Sequence, residues 1–221
     1  MTKGYIFDYG GTLDTGGTHW GKVIWHAYEQ LQVPVEEQLF REAYVHAERT
    51  LGKKPIILPD FTFRRTLEEK IRIQTTYLAL DGYDKALVDY LYGRTQEETA
   101  HSREVLLKLQ ERYPMVLVSN FYGNISTVLC EFGLDGIFKT IIESAVVGVR
   151  KPDPAIFSLG VEALGLHPEE VIVVGDSLDK DIIPAKKAGC QTIWFKGEGW
   201  TDDPQDESAA DRVIMDLKEL L

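Results

Sequence analysis

Two kinds of hydrophobic pattern alternate along the chain. Short apolar runs, each followed by a polar residue or a glycine, occur at Tyr5–Phe7, Val116–Val118 and Val171–Val174. Runs of this length are typical of buried strands, and the valines of the third run favour a central place in a parallel sheet. Between the runs, apolar residues recur every three or four positions, as on the buried face of a helix. This alternation predicts an α/β fold, a Rossmann-like parallel-sheet core with helices on both faces.

Between the first two runs the hydrophobic spacing is helical, and it predicts no strand. Helical spacing predicts four helices there, of which the last three cover 36–51, 63–80 and 85–92. A further helix ending near residue 112 leads back into the core. We therefore predict an inserted all-helical domain over 15–94, and an α/β core made of 1–14 and 95–221. The last strand of that core is predicted at 192–195.

Composition narrows the classes of protein that fit. The 221 residues are 44% apolar, which is enough to bury a full core. No run approaches the ~20 apolar residues of a membrane span, and the first strand begins too early for a signal peptide, so we expect a cytoplasmic protein that binds no membrane. The net charge of −11 argues against nucleic-acid binding. Cys130 and Cys190 have no metal-ligand spacing, and we expect both to be buried packing residues.

Polar side chains follow several of the predicted strands. Asp8 comes directly after the first strand, Ser119 after the second, and Asp176 one residue after the valine-rich strand. Because the carboxyl ends of parallel strands meet at one edge of a sheet, these side chains are expected to lie together. Two carboxylates there form a hard oxygen site that suits Mg²⁺. Taken singly, each residue has a simpler interpretation, since Ser, Asn and Asp are common helix caps.

A lysine stands in a comparable position. Lys151 precedes two prolines in Lys-Pro-Asp-Pro, after a short predicted strand and before a predicted helix. Its ammonium group there can neutralise both a carboxylate and a bound phosphate. The common alternative for a loop lysine is full exposure to solvent, and the same holds for its neighbour Arg150.

Taken together, the segments resemble a known family. Four segments stand in the order of the four motifs of the haloacid dehalogenase superfamily: Asp8-Tyr9-Gly10-Gly11-Thr12, Val118-Ser119-Asn120, Lys151-Pro152-Asp153-Pro154, and Gly175-Asp176-Ser177 with Asp181. The resemblance spans residues 5–195. Most members of the superfamily are magnesium-dependent phosphatases, so the resemblance implies a hydrolase of a small phosphorylated metabolite. It also implies that the helical insertion is a cap that closes over the site and selects the substrate.

The resemblance assigns roles to residues around the phosphoryl group. It makes Asp8 the nucleophile that forms an aspartyl-phosphate. Ser119 and Lys151 are its catalytic partners and bind the phosphoryl oxygens. Gly11 and Asn120 are further substrate contacts, Asn120 through its backbone.

It also assigns a metal site. Mg²⁺ is expected on the carboxylates of Asp8 and Asp176 and on the backbone carbonyl of Gly10. Asp181 is expected to support this site without binding the metal, by orienting water or Lys151.

One position departs from the phosphatase pattern. Phosphatases of the family carry a second aspartate two residues after the nucleophile, as general acid and base, and this chain has Gly10 there. His19 is one candidate replacement. A second hypothesis is a phosphonate-cleaving enzyme. The member of the family with that activity has a small residue at this position and a cap lysine that forms a Schiff base. In this chain the candidate lysine is Lys53 or Lys54. A third is a non-catalytic binding or regulatory protein. A halocarboxylate dehalogenase fits less well, because that branch needs no metal and typically has tyrosine at this position.

Overall fold

Six parallel strands form one sheet in the order β3-β2-β1-β4-β5-β6. The computed structural model describes residues 2–201 and 203–221, so Met1, the first residue of the predicted core, lies outside the described residues. The strands are β1 (Gly4–Phe7), β2 (Met115–Ser119), β3 (Thr140–Glu143), β4 (Val171–Gly175), β5 (Gln191–Phe195) and β6 (Arg212–Ile214). The predicted parallel α/β core is confirmed.

The strand order places a topological switch point beside the first strand. From β1 the chain adds β2 and β3 on one side of the sheet, and then crosses to add β4, β5 and β6 on the other. Phe7 pairs with Leu117 on β2 and with Val174 on β4. The residues that follow β1, β2 and β4 therefore leave the sheet at the same edge, which is where open α/β sheets bind ligands.

Successive side chains of the buried strands point to opposite faces of the sheet and pack in two hydrophobic cores. On one face, Ile6 packs with Val118, Val173 and Phe157, the last from helix α7 (Ala155–Leu164). On the other face, Tyr5 and Phe7 belong to a larger core that includes helices of the segment between β1 and β2. Both faces of the sheet are thus covered, which explains why its central strands are apolar throughout rather than alternating.

Four helices lie between β1 and β2, and the structure describes no strand among them. They are α1 (Trp20–Gln30), α2 (Glu37–Lys53), α3 (Phe63–Tyr77) and α4 (Asp84–Gln110). The helix α2 buries Phe40, Ala43 and Ala47 along one face, as the spacing predicts, but Leu39, which the same spacing places inward, is exposed. Thr62 begins α3 by accepting a hydrogen bond from the backbone of Arg65.

The helix α4 differs from the prediction. The sequence predicts two helices with a break near residues 92–95, whereas a single helix of 27 residues runs through this point. Its buried face continues across the predicted break through Leu91, Thr95 and Thr99, and no proline interrupts it. The predicted boundary between 94 and 95 falls inside this helix, and the division into two domains stays a prediction.

The remaining elements connect the core strands. They include α5 (Ile125–Glu131), α6 (Ser144–Val147), α7, a π-helical turn (Leu178–Ile182) and α8 (Ile183–Lys187), and three short 3-10 helices lie at Pro168–Glu170, Glu207–Ala209 and Leu217–Leu220. The strand β6 was not predicted, because its three residues include an exposed arginine and form no apolar run. The prediction that 192–195 is the last strand is therefore wrong.

Two expectations from composition can be compared with the structure. Cys190 is buried as expected, but Cys130 is exposed, because α5 turns Ile125, Val128 and Leu129 inward and Cys130 outward. Among the described residues, no helix has the length and apolar character needed to cross a membrane.

Candidate active site

Three carboxylates meet at the carboxyl edge of the sheet. Asp8, Asp176 and Asp181 each place one oxygen within 4.8 Å of the others. Asp8 follows β1, Asp176 follows β4, and Asp181 reaches back from the π-helical turn after β4. Asp8 and Asp181 are almost fully buried. The structure thus brings together the two predicted metal ligands and the predicted supporting acid.

Lys151 lies within this carboxylate cluster. Its Nζ atom donates to Oδ1 of Asp8 and, at 2.6 Å, to Oδ1 of Asp181, and its side chain is buried. Burial alone disfavours the charged amine, but Asp181 and Asp8 outweigh it and raise the pKa of Lys151. Lys151 is therefore held as an ammonium ion against the predicted nucleophile.

Asn120 fixes the loop that carries this lysine. Its side-chain nitrogen donates to the backbone carbonyl of Lys151 at 3.0 Å, and its side-chain oxygen accepts from the backbone N–H of Lys151 at 2.9 Å. Both polar ends of the Asn120 side chain are thus engaged by the protein. Its side chain acts here as a clamp on Lys151, a role that the sequence did not indicate.

Asp181 also has both oxygens engaged. Oδ1 accepts from Lys151, and Oδ2 accepts from the backbone N–H of Ser177 at 3.1 Å. A carboxylate tied in this way fixes the position of the lysine ammonium. That Asp181 supports the site without binding a metal stays a prediction. Asp176, by contrast, is only partly buried and faces the cavity at the sheet edge.

Thr12 connects the two predicted metal ligands and was not assigned a role from the sequence. Its Oγ1 atom lies 3.2 Å from Oδ2 of Asp8 and 3.1 Å from Oδ1 of Asp176, and it accepts from the backbone N–H of Asp176 at 3.0 Å. One hydroxyl proton can serve only one of the two carboxylates at a time. Thr12 therefore contacts both carboxylates but can donate a hydrogen bond to only one of them at a time.

The cluster carries more negative than positive charge. Loss of solvent around its carboxylate within the cluster, with the charges of Asp181 and Asp8, raises the pKa of Asp176 well above its usual value. Burial also raises the pKa of Asp181 to about 6, although Lys151 opposes the shift. Three carboxylates facing one ammonium group leave a site that a cation would stabilise. The donor set of hard oxygens fits a magnesium ion.

The glycine pair lets the backbone pass close to Asp176. Gly11 has a φ of +102°, and a Cβ atom there would lie 2.5 Å from the Asp176 carboxylate, so only glycine fits. Gly10 is different, because a Cβ atom there would meet nothing nearer than the Trp20 ring at 4.0 Å. The space beside Gly10 can accommodate a side chain.

Asp14 lies next to this space, and the sequence analysis did not identify it. Its Oδ1 accepts from the backbone N–H of Gly11 at 2.7 Å, and its Oδ2 accepts from Nε1 of Trp20 at 3.0 Å. Burial raises the pKa of Asp14 to about 7, although both hydrogen bonds favour the charged form. It lines the same cavity as Asp8. Asp14 is thus a carboxyl group that can change protonation near neutral pH at the edge of the site.

His19, the candidate replacement acid, has another role in the structure. Its Nδ1 accepts from the backbone N–H of Gly21 at 3.0 Å and so caps the start of α1. Burial, followed by the charge of Lys180, lowers the pKa of His19 to about 4. The imidazole is neutral at pH 7 and carries no proton that it releases readily. The structure therefore favours Asp14 over His19 as a proton donor.

The cluster opens into a cavity of about 610 Å³. Ser119, buried at the end of β2, lines its core side together with Asp8, Lys151 and Asp176. The opposite wall comes from the helices α2 and α3. The volume is that of a typical small-molecule site, and the chain encloses it between the sheet edge and the helical segment.

Comparison with known proteins identifies the class. A family model for haloacid dehalogenase-like hydrolases matches residues 2–189. The chain therefore belongs to the haloacid dehalogenase-like hydrolase family, and the resemblance seen in the four motifs is confirmed.

Individual relatives refine the comparison. The chain is 42% identical over 89 residues to a glyceraldehyde 3-phosphate phosphatase of Pyrococcus furiosus, covering 40% of this chain and 37% of that protein. It is 36% identical over 88 residues to a phosphoserine phosphatase of Thermus thermophilus, covering 40% and 34%. The chain thus spans less than half the length of these curated relatives.

A solved structure shows the same fold over nearly the whole chain. The magnesium-bound HAD-hydrolase YfnB of Bacillus subtilis covers 99% of this chain and 96% of its own, with a TM-score of 0.61 and 18% identity. At this identity the likeness concerns the fold alone. This structural match includes the helical segment, because it covers nearly the whole chain.

Proposed function

We propose that the protein is a magnesium-dependent phosphomonoesterase that acts on a small phosphorylated metabolite through an aspartyl-phosphate on Asp8. The observation that carries the proposal is the pairing of Asp8 with the buried Lys151 ammonium, beside Asp176, at the floor of a cavity of metabolite size. The phosphatase names of the relatives support the same reaction class. A cytoplasmic location stays a prediction.

The reaction consists of two displacements at phosphorus. A carboxylate oxygen of Asp8 forms a bond to phosphorus while the bond to the alcohol oxygen breaks, and the alcohol takes up a proton. Water then attacks the phosphorus of the aspartyl-phosphate, and inorganic phosphate leaves as Asp8 is regenerated. Lys151 and Ser119 stabilise the negative charge on the phosphoryl oxygens in both steps.

The carboxylates of Asp8 and Asp176, with the carbonyl of Gly10, would hold the magnesium ion. When bound, it neutralises charge on the phosphoryl group and on the crowded carboxylates. Asp181 stays outside this set because Lys151 and Ser177 already occupy its two oxygens. The helical segment would act as the cap that covers the cavity and selects the substrate.

The direct test of the proposed reaction is phosphate release. Purified protein should release inorganic phosphate from aryl and alkyl phosphate esters in the presence of magnesium, and the release should stop on addition of EDTA and resume with excess magnesium. Absence of release from every ester tested, by a folded protein that binds magnesium, would overturn the proposal and favour a binding protein.

The magnesium site can be tested by itself. Asp176→Ala is expected to weaken magnesium binding at least ~10-fold, because the change removes one of two charged ligands. Isothermal calorimetry on the two proteins measures this difference. Asp179→Ala, at an exposed aspartate three residues further along the chain, is the matched control and should bind like the wild type. Equal affinity in Asp176→Ala and wild type would remove Asp176 from the site.

The phosphonate-cleaving alternative gains no support from the contacts. Lys53 and Lys54 are exposed at the rim of the cavity. Lys70 is a buried lysine of the helical segment that lines the cavity. Burial disfavours its charged form, but Glu48 outweighs this effect and raises the pKa of Lys70 well above the usual value. A Schiff base requires a neutral amine, so an ammonium ion held in an ion pair is poorly suited to form one.

A further inference from the structure

An ion pair stands in the cavity wall opposite the carboxylates. Lys70 on α3 and Glu48 on α2 both line the cavity, and Nζ of Lys70 lies 2.7 Å from Oε1 of Glu48. The Lys70 side chain is 11% exposed. Its Nζ also lies 5.8 Å from the centre of the Trp20 ring and 5.6 Å from that of Tyr122. The pair is therefore held by aromatic rings and oriented by them.

The pair has hydrogen-bonding capacity left for a further polar group. Tyr122 donates its hydroxyl proton to Oε2 of Glu48 at 3.0 Å. Oε1 of Glu48 is shielded from bulk solvent, and Nζ of Lys70 lies 2.7 Å from it, close enough for a charge-assisted hydrogen bond. A carboxylate oxygen accepts more than one hydrogen bond, and an ammonium group has three donors. The pair thus presents an acceptor and a donor side by side in the cavity wall.

The Lys70–Glu48 pair is connected through Trp20 to the end of the cavity that contains Asp8. The indole of Trp20 lies against Lys70 on the cap side and donates its N–H to Asp14 on the core side. Asp14 in turn accepts from the backbone of Gly11, three residues after Asp8. A small ester with its phosphoryl group at Asp8 would point its alcohol part toward this wall.

We propose that the Lys70–Glu48 pair binds a hydroxyl group on the alcohol part of the substrate, so that the enzyme prefers phosphate esters of polyhydroxylated alcohols. This inference rests on the proposed phosphatase function. A hydroxyl group donates to Glu48 and accepts from Lys70, and so satisfies both partners at once. A carboxylate substituent would be attracted by Lys70 but repelled by Glu48. An unsubstituted alkyl chain would cover the pair without hydrogen-bonding to it, which a polar site discriminates against strongly.

The test compares two esters with the same carbon chain, glycerol 3-phosphate and propyl phosphate. The wild type is expected to show at least ~10-fold higher kcat/KM for the glycerol ester. In Lys70→Met and in Glu48→Gln, the ratio of the two kcat/KM values should fall by about tenfold, with the loss concentrated on the glycerol ester. Lys85→Met, at an exposed lysine of α4 paired with Asp89, is the matched control and should keep the wild-type ratio.

Other outcomes separate the inference from the proposed function. Magnesium- and Asp8-dependent hydrolysis of p-nitrophenyl phosphate tests the function by itself, because an aryl ester makes no demand on the pair. If this hydrolysis is present but the wild type shows no preference for the glycerol ester, the inference is overturned and the function stands. Equal losses on both esters in Glu48→Gln, which preserves side-chain size, would assign the pair to packing of α2 on α3 and also overturn it. Lys70→Arg, which keeps the charge and donors, should recover part of the preference.

Discussion

Asp8→Asn is expected to reduce phosphate release by at least ~10⁴-fold on every ester, the largest effect of any single change in the chain. An amide oxygen is a poor nucleophile and cannot give a stable phosphoryl intermediate. The change also removes one of the two carboxylates that hold Lys151. Phosphate release in steady state, and intact mass of acid-quenched protein mixed with substrate, measure the two consequences.

The intact mass is the more specific readout. The wild type should gain the mass of one phosphoryl group during turnover, and Asp8→Asn should not. Thermal unfolding of both proteins controls for the lost ion pair, and Asp179→Asn controls for loss of an aspartate charge near the site. A phosphorylated species in Asp8→Asn at wild-type level would place the nucleophile elsewhere.

Gly10→Asp is expected to increase turnover of alkyl phosphates, by up to the ~10²–10⁴-fold typical of general acid and base catalysis. The added side chain enters open space beside Trp20, and Gly10 does not have the left-handed backbone that makes Gly11 irreplaceable. The proposed metal contact at this position is a backbone carbonyl, which the substitution keeps. An aryl phosphate should gain less, because its leaving group needs little protonation.

The size of this gain depends on Asp14. If Asp14 already supplies the proton, Asp14→Asn lowers alkyl phosphate turnover in the wild type, and Gly10→Asp restores it in that background. Turnover of propyl phosphate and p-nitrophenyl phosphate by four proteins measures both changes. The four are the wild type, Asp14→Asn, Gly10→Asp and the variant that carries both substitutions. A folded, magnesium-binding Gly10→Asp protein that gains nothing in either background, and is inert on both esters, would count against the hydrolase proposal.

The position of the candidate site followed from the sequence because it depends on topology. Parallel strands bring their carboxyl ends to one edge, so residues as far apart as Asp8, Ser119 and Asp176 were expected together before any contact was known. The motif spacing then identified Lys151 among the many lysines of the chain. Both arguments depend only on the residues within and next to each strand, which the sequence shows directly.

The missed features depend on side-chain contacts that the pattern of a single segment does not show. Asp14 stands in a polar, glycine-rich stretch that is typical of an exposed loop, and only the Trp20 indole and the buried turn around Gly11 make it an interior carboxyl group. Lys70 and Glu48 have the polar character of a solvated helix face, and the packing of α2 on α3 over the cavity buries Lys70 and brings it into contact with Glu48, which stays partly exposed. No periodicity in a single segment indicates such a pairing.

The unbroken α4 helix has a consequence for how the cavity admits a substrate. Its first half packs through Leu87 and Leu91 in the helical segment, and its second half packs through Leu106 against the core. Ser102 of the same helix donates to the carbonyl of Leu13, so the two chain connections between segment and core are tied to each other at 2.8 Å. A continuous helix of ~40 Å resists bending. Because the same stiff helix packs against both the helical segment and the core, we expect α4 to limit how far the helical segment can swing away from the cavity, so that a substrate enters through a gap whose width this helix restricts.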